Sequence, residues 1–369
     1  MKVTVFGGAG DMGAEAVRDI AKQKDVESLV IADYNRKAAE KLAAEIGKPH
    51  VTAEFCDAND HNALVEIMER ADVCLSCIGP FYQYEEKMIR AAVDAKRSYT
   101  SICDDFDAAE AALALDKPAK KAGITVLTGM GWTPGLSNVL ARKGMEDMDS
   151  STEVHVAWAG GADDSEGLAV IKHTLHIFTG DVPTFTGGKW ARVAAGSGRE
   201  KVAFPEPIGK VSVYHLGHPE PVTIPHFVQG LKEVSLKGAV TPEWVNPMAK
   251  ALSALGLTNT PKKRDAGAAF FHKVGPTLFK SKGKPISGIH VRVLGEKDGE
   301  KVLFTGACVD NMKRLTGIPA AIGTLMIGRK AIEKTGVVAP ETAVPAELFL
   351  AELGKRGLKI ETKMEKRRS

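Results

Sequence analysis

Lys2-Val3-Thr4-Val5-Phe6-Gly7-Gly8-Ala9-Gly10-Asp11-Met12-Gly13 is the stretch that decides the fold. A short β-branched run ends in Gly8-x-Gly10-x-x-Gly13 and passes straight into the helical stretch Ala14-Glu15-Ala16-Val17-Arg18-Asp19-Ile20. Residues without side chains permit the tight strand-to-helix turn and let the backbone approach a pyrophosphate, and Gly13 lets the helix pack close to the sheet. The amides that open the helix then face the phosphates. The spacing therefore predicts a dinucleotide site on Gly8, Ala9, Gly10, Asp11, Met12 and Gly13.

The context supplies the rest of the motif. A second strand, Ser28-Leu29-Val30-Ile31-Ala32-Asp33, ends on a carboxylate about twenty positions after the glycines. There it accepts from the adenosine ribose hydroxyls and repels a 2′-phosphate, so NAD is the expected cofactor. Arg36 follows three residues later, which keeps NADP open. The competing reading of Asp33 is a cap for the helix predicted over 36–46.

Strand-like and helix-like segments then alternate. Strands read at 3–7, 28–33, 51–56, 72–78, 98–102 and 124–128, with the clearest helices at 36–46, 62–70, 85–95 and 107–122. Near-continuously apolar strands in such alternation predict an α/β, Rossmann-type doubly wound parallel sheet covered on both faces. Ligands in that architecture sit beyond the carboxyl ends of the strands. At those ends stand Asp57-Ala58-Asn59-Asp60, then Ile78-Gly79-Pro80-Phe81-Tyr82, then Cys103-Asp104-Asp105. The sixth end is Gly129-Met130-Gly131-Trp132-Thr133-Pro134-Gly135-Leu136-Ser137-Asn138. Asp57 and Ala58 are expected on the adenine side, and Ile78, Gly79 and Pro80 beneath the nicotinamide. Phe81, Trp132, Pro134 and Gly135 are candidates for substrate contact, the last loop offering helix amides to an anion. Ordinary turn chemistry is the alternative for each loop taken singly.

From about residue 152 the pattern changes to longer strands punctuated by Gly and Pro, with a hairpin over 288–294 and 301–305 turned at Lys297-Asp298-Gly299. Three segments are expected: a Rossmann domain at 1–135, an α+β domain with a largely antiparallel sheet at 136–315, and C-terminal helices at 316–369 packing back on the first domain. The tail Lys363-Met364-Glu365-Lys366-Arg367-Arg368-Ser369 reads as a solvated, frayed terminus.

Composition narrows the class. The 369 residues are 44% hydrophobic and 26% charged, with a net charge of +3. That is an ordinary globular balance, without the basic stripe of a nucleic-acid binder. No apolar run approaches the roughly 20 residues that span a bilayer. The first strand begins at the N-terminus, so no signal peptide, no membrane and a cytoplasmic location are expected. Five cysteines do not make a disulfide framework at this length. Cys74-x-x-Cys77 lies in an apolar strand and reads as buried, inert thiols.

Proton handling draws on Asp104, Asp105, His173, His215 and His218. His173 and His176 share a helix face without HExxH or a third ligand, so no metal is expected. His218-Pro219-Glu220-Pro221 reads as a proline-stiffened loop whose Glu220 is placed to hold a substrate ammonium, or as a surface turn. Lys172 and Arg192 are candidates for a substrate carboxylate by charge, and Trp190 reads as core.

Taken in order, these motifs resemble the saccharopine dehydrogenase-like reductases. The likeness rests on Gly7 to Gly13, Asp33, Asp57 to Asp60, Ile78 to Phe81 and Gly131 to Asn138. It extends to Gly217-His218-Pro219-Glu220-Pro221-Val222-Thr223, Thr316-Gly317-Ile318-Pro319 and Ala339-Pro340-Glu341. The resemblance implies an NAD(P)-dependent oxidoreductase acting on a C–N bond of an amino acid or amine, of lysine 6-dehydrogenase or saccharopine dehydrogenase type. It also implies a homodimer whose second domain carries the substrate pocket and the subunit contact. The family often shows Tyr-Val-Asp at the end of the fifth strand, where this chain has Tyr99-Thr100-Ser101. The alternatives are a reductive condensation of an amine with a carbonyl, as in carboxynorspermidine or opine enzymes, and a non-catalytic NAD-binding regulator, which Ser101 favours.

Overall fold

The computed structural model describes residues 1–164, 167–279 and 285–367. Two compact units emerge, Met1–Leu136 with Thr316–Arg356, and Ser137–Leu315 with the residues from Gly357 on. The expected C-terminal segment 316–369 is thus divided between the units.

The first unit is built on β1 (Lys2–Phe6), β2 (Ser28–Asp33), β3 (Val51–Phe55), β4 (Val73–Ser76), β5 (Ser98–Ser101) and β6 (Thr125–Leu127). Six strands were expected, and the sheet has seven. Gly336–Val338 is the additional strand, paired parallel with β6. The order is Gly336–Val338, β6, β5, β4, β1, β2, β3, and every pairing is parallel. The chain runs outward through β2 and β3, then returns to place β4 on the other side of β1. That reversal opens the crevice in which doubly wound folds take their ligands.

Burial explains why the strands read clearly. Val3, Val5 and Phe6 are buried in β1, and all four residues of β4 are buried. Tyr99, Leu64, Met68, Met88 and Ile89 fill the core beside them. The segment expected as one helix at 107–122 is two, Phe106–Ala114 and Asp116–Ala122. Pro118 lacks the amide an unbroken helix needs and sits in the first turn of the second, where none is required. The helix Ala346–Lys355 is tied to the first helix, Asp11–Ile20, because Arg356 Nε donates to both oxygens of Asp19, at 2.9 and 2.8 Å.

The second unit carries a mixed, mostly antiparallel sheet. Its main order is Glu200–Ala203, Lys210–His215, Glu233–Thr241, Ser150–Gly161, Ser287–Lys297, Glu300–Asp310 and Ile360–Lys366. Glu233–Thr241 and Ser150–Gly161 pair in parallel. The hairpin Ser287–Lys297 to Glu300–Asp310 turns on Asp298 (φ 53°) and Gly299 (φ 76°), the left-handed pair a two-residue hairpin turn demands. The tail corrects expectation: instead of fraying, Ile360–Lys366 pairs antiparallel with Glu300–Asp310. Lys and Glu alternate along this edge strand, a composition that blunts edge-to-edge pairing. Residues 368–369 of that tail lie outside the described residues. Trp190, read as core, is 56% exposed on the hairpin Asp181–Thr186 to Lys189–Ala194, its ring edge-on to Phe185 at 5.3 Å. Among the described residues no helix is long and apolar enough to cross a membrane.

One face of this sheet holds three histidines, His155, His215 and His290, each with its pKa lowered chiefly by burial. His290 is lowered from 6.5 to about 4 by burial and by the charge of Arg292. The folded protein therefore refuses a proton that the unfolded chain accepts below pH 6.5. Stability supplied by neutral His290 is complete above that value and is lost as pH falls toward 4. Between pH 7.5 and 5, His290 alone should remove about 2 kcal/mol. Urea titrations of wild type and His290→Gln at both pH values check this, the variant losing correspondingly less.

Candidate functional site

Three glycines shape the turn after β1 for different reasons. Gly7 has φ +68°, and its amide bonds Ala32 O at 2.8 Å. A Cβ at Gly13 would stand 2.3 Å from Gly7 O and 2.8 Å from Gly8 Cα, so the helix lies directly on the turn. Gly10 is different. Its φ of −73° suits any residue, and a Cβ there would meet only Gly7 O, at 3.4 Å. Nothing inside the protein requires glycine at this exposed position, and open space above it is what a close-approaching diphosphate needs. The residues present thus fit a dinucleotide.

Asp33, half-buried at the end of β2, accepts from the Ala9 amide at 3.0 Å and the Asn35 amide at 2.8 Å. It does not cap the next helix. Asn35 does, accepting from the Ala38 amide. The carboxylate is therefore held beside the glycine turn by backbone donors. Arg36 is exposed and paired with Glu40 at 2.8 Å. Asp11 and Met12 open the helix half-buried, and Gly8 is buried. Gly317 presses against this helix from within the same unit, since a Cβ on it would meet Met12 O at 2.7 Å.

Asp57 sits after β3 and accepts from the amide and the side chain of Asn59, at 2.9 and 3.0 Å, with Ala58 buried next to it. Ile78 and Gly79 are half-buried after β4, and Pro80 precedes the helix Phe81–Ala95, whose first residue is 6% exposed. Asp105 is fully buried and accepts from the Tyr82 amide at 3.0 Å, an acceptor for the first turn of that helix. Asp104 is half-buried beside it. Trp132 and Pro134 are buried in the loop after β6, and Gly135 takes φ +123°. This loop closes on itself: the Gly131 amide bonds Pro134 O and the Leu136 amide bonds Gly131 O. Leu136's amide, the first of its helix, is thereby spent internally rather than offered to an anion.

A carboxylate missed by sequence reasoning lies below this edge. Glu85 is 1% exposed and accepts from Ser101 Oγ at 2.6 Å, Tyr99 Oη at 2.8 Å and Thr128 Oγ1 at 3.0 Å. The hydroxyl at position 101 thus carries a carboxylate from a different element. Burial pushes the Glu85 carboxyl above the ordinary range, against the pull of its three donors. Cys74 and Cys77 are pushed up to about 12 by burial, which makes both thiols inert.

The second unit gathers three of the candidate residues. Glu220 is fully buried in the first turn of the helix Glu220–Phe227, while His218 and Pro219 form the loop that leads into it, so the segment is a loop entering a helix and not a surface turn. Its Oε1 accepts from Ser137 Oγ at 2.8 Å, and its Oε2 lies 3.9 Å from His218 Nδ1. The ring of His218 meets those of His173 at 5.2 Å and Trp158 at 5.6 Å. Gly238 makes room for the indole, because a Cβ there would stand 2.1 Å from Trp158 Cε2. The result is a buried acidic-imidazole cluster on Ser137, Trp158, His173, His218 and Glu220, suited to holding a cationic nitrogen and relaying its proton. His176 is half-buried and His215 lies on the sheet. Lys172 is paired with Asp265 at 2.7 Å, and Arg192 reaches Asp181 O at 3.4 Å.

Comparison with known proteins accords with both units. Residues 3–127 match the saccharopine dehydrogenase NADP binding domain, and residues 200–358 match the saccharopine dehydrogenase C-terminal domain. A carboxyaminopropylagmatine dehydrogenase of Synechocystis is 23% identical over 386 residues, 95% of each chain. A saccharopine dehydrogenase (NADP(+), L-glutamate-forming) of Pyricularia oryzae is 32% identical over 35% of this chain and 26% of its own. The apo saccharopine dehydrogenase (L-Glu forming) of Saccharomyces cerevisiae shares the fold, with a TM-score of 0.70 over 99% of this chain and 100% of its own at 17% identity. With both domain types matched in order along most of its length, the chain belongs to the saccharopine dehydrogenase family, NAD(P)-dependent oxidoreductases that act on CH–NH donors.

Proposed function

We propose that the chain holds NAD(P) on the glycine turn of its first unit and the amino group of an amino-acid or polyamine-like substrate on the buried cluster of its second. The observation that carries this is Glu220, a carboxylate with no solvent exposure, bonded to Ser137 and beside His218. Such an acceptor favours an ammonium over any neutral ligand. When bound, the cofactor supplies the hydride chemistry. Gly8, Ala9, Gly10, Asp11, Met12 and Gly13 hold the diphosphate and Asp33 the ribose. Asp57 and Ala58 flank the adenine side, and Ile78, Gly79 and Pro80 the nicotinamide side. Glu220 orients the reacting nitrogen, and His218, with His173 against its ring, takes or returns the proton that an amine–imine interconversion requires. Asp105, engaged by a helix amide, serves the frame around Phe81, with Asp104 next to it.

The substrate class includes lysine derivatives of the lysine 6-dehydrogenase or saccharopine type. Reductive condensation of an amine with a carbonyl compound is supported by the likeness, over 95% of each chain, to a protein named carboxyaminopropylagmatine dehydrogenase. Nicotinamide absorbance assays in both directions, against a panel of amines with and without keto acids and aldehydes, test the proposal. Tight cofactor binding with no turnover on any of them refutes it. A cytoplasmic homodimer completes the reading. All five cysteines are free thiols, as a reducing compartment maintains, and light scattering of purified protein measures the assembly.

Asp33→Ser should raise the dissociation constant for NAD about tenfold or more, the worth of a charge-assisted hydrogen bond. Repulsion of the 2′-phosphate disappears with the carboxylate, so discrimination against NADP should shrink further. Fluorescence titration with NADH and NADPH reads both numbers. An unchanged ratio removes the ribose assignment.

A further inference from the structure

Two aromatic rings stand in water at the rim of the first unit. Tyr34 is 72% exposed and Phe55 50%, while Phe6, Phe81, Tyr99 and Phe106 of the same unit are buried. The two exposed rings are neighbours, with centroids 5.6 Å apart and planes tilted by 48°. A lone exposed ring needs no explanation. A pair in contact, each at least half open to water, forms an apolar shelf.

Their place in the chain says what the shelf can take. Tyr34 directly follows Asp33, and Phe55 is the residue of β3 paired with Asp33 in parallel register. Neighbouring strands lie about 4.8 Å apart. The ring-bearing residues therefore adjoin the carboxylate along the chain and across the sheet. That carboxylate is held at the glycine turn by the Ala9 amide at 3.0 Å. In a dinucleotide the base is bonded directly to its ribose, so a ribose on Asp33 brings the adenine to these rings.

The polar side chains of the loop after β3 are occupied with one another. Asp57 Oδ1 accepts from the amide and the side chain of Asn59, at 2.9 and 3.0 Å. Asn59 Oδ1 in turn accepts from Lys87 Nζ at 2.7 Å. Asp60 caps the helix His61–Glu69 by accepting from the Ala63 amide. What this corner presents to a base is ring surface, which engages a face and not an edge.

We infer that Tyr34 and Phe55 form the adenine seat, holding the base by stacking and without selection on its exocyclic amino group. The inference rests on the cofactor site assigned to the glycine turn. Every base has a π-face, so stacking tolerates changes at the ring edge that hydrogen-bonded recognition rejects.

Fluorescence titration of the full-length protein with NADH tests this. Tyr34→Ala and Phe55→Ala should each weaken binding about tenfold, the order one base–aromatic stack supplies, with Tyr34→Phe within about twofold of wild type. Both positions are exposed, so the variants should melt with the wild type. Reduced nicotinamide hypoxanthine dinucleotide, which lacks the amino group, should bind the wild type within about threefold of NADH. That arm needs no variant, and a larger loss shows edge recognition and overturns the inference. Unchanged NADH affinity in the alanine variants overturns it too, and altered sedimentation alongside would make the rings a docking patch for a second copy. Failure of the wild type to bind NADH or NADPH would instead remove the cofactor assignment, so the two failures are distinguishable.

Discussion

Gly10→Val should cost more than a hundredfold in affinity for NAD(P) while leaving the chain folded. The backbone at Gly10 is in an ordinary extended conformation, and a Cβ there meets only Gly7 O at 3.4 Å. The valine therefore disturbs little within the protein. Loss at the helix N-cap is worth about 1 kcal/mol, a few degrees of melting temperature at most. Its methyl groups instead fill the space a diphosphate must enter, and the helix amides behind them lose their ligand. Gly13→Val supplies the contrast. Its Cβ would stand 2.3 Å from Gly7 O, so that change should abolish soluble protein rather than binding alone. Calorimetry with NADH and a thermal melt separate the two. Binding retained by Gly10→Val at near wild-type affinity would displace the nucleotide from this turn.

That contrast shows why the first unit was legible. Its central strands β1 and β4 are buried on both faces and read as apolar runs, and its glycines fall where turn geometry or a ligand demands them. The crevice then follows from topology, because strand order fixes where the sheet reverses. Glu85 was missed although a signal existed. Phe81, Glu85, Met88, Ile89 and Ala92 recur at helical spacing and are all buried, which puts the carboxylate on the inward stripe. The exposed Glu86 beside it made the pair look like solvent-facing charge. Gly336–Val338 was too short to register, needing β6 as a template. Ile360–Lys366 alternates only weakly, with Ile360 and Met364 as its two apolar residues among charges, and it is held as a strand by pairing with Glu300–Asp310. Trp158 and Ser137 join Glu220 through contacts remote in sequence, 83 residues in the case of Ser137, which no local pattern encodes.

The second large effect is expected at that carboxylate. Glu220→Gln should lower kcat/KM for the amine substrate by about 10²–10³, with the dissociation constant for NADH unchanged. The substitution preserves volume and an oxygen for the Ser137 hydroxyl, so the helix Glu220–Phe227 retains its seat. What disappears is the negative charge in a site with no solvent exposure, 3.9 Å from the His218 imidazole. Truncating one member of a buried charged pair costs about 2–5 kcal/mol, and a substrate ammonium would feel that loss in full. Initial rates with the amine substrate, paired with a fluorescence titration of NADH, measure both quantities. A variant with full kcat/KM would make Glu220 a structural anchor for Ser137, and the amine would have to be held elsewhere.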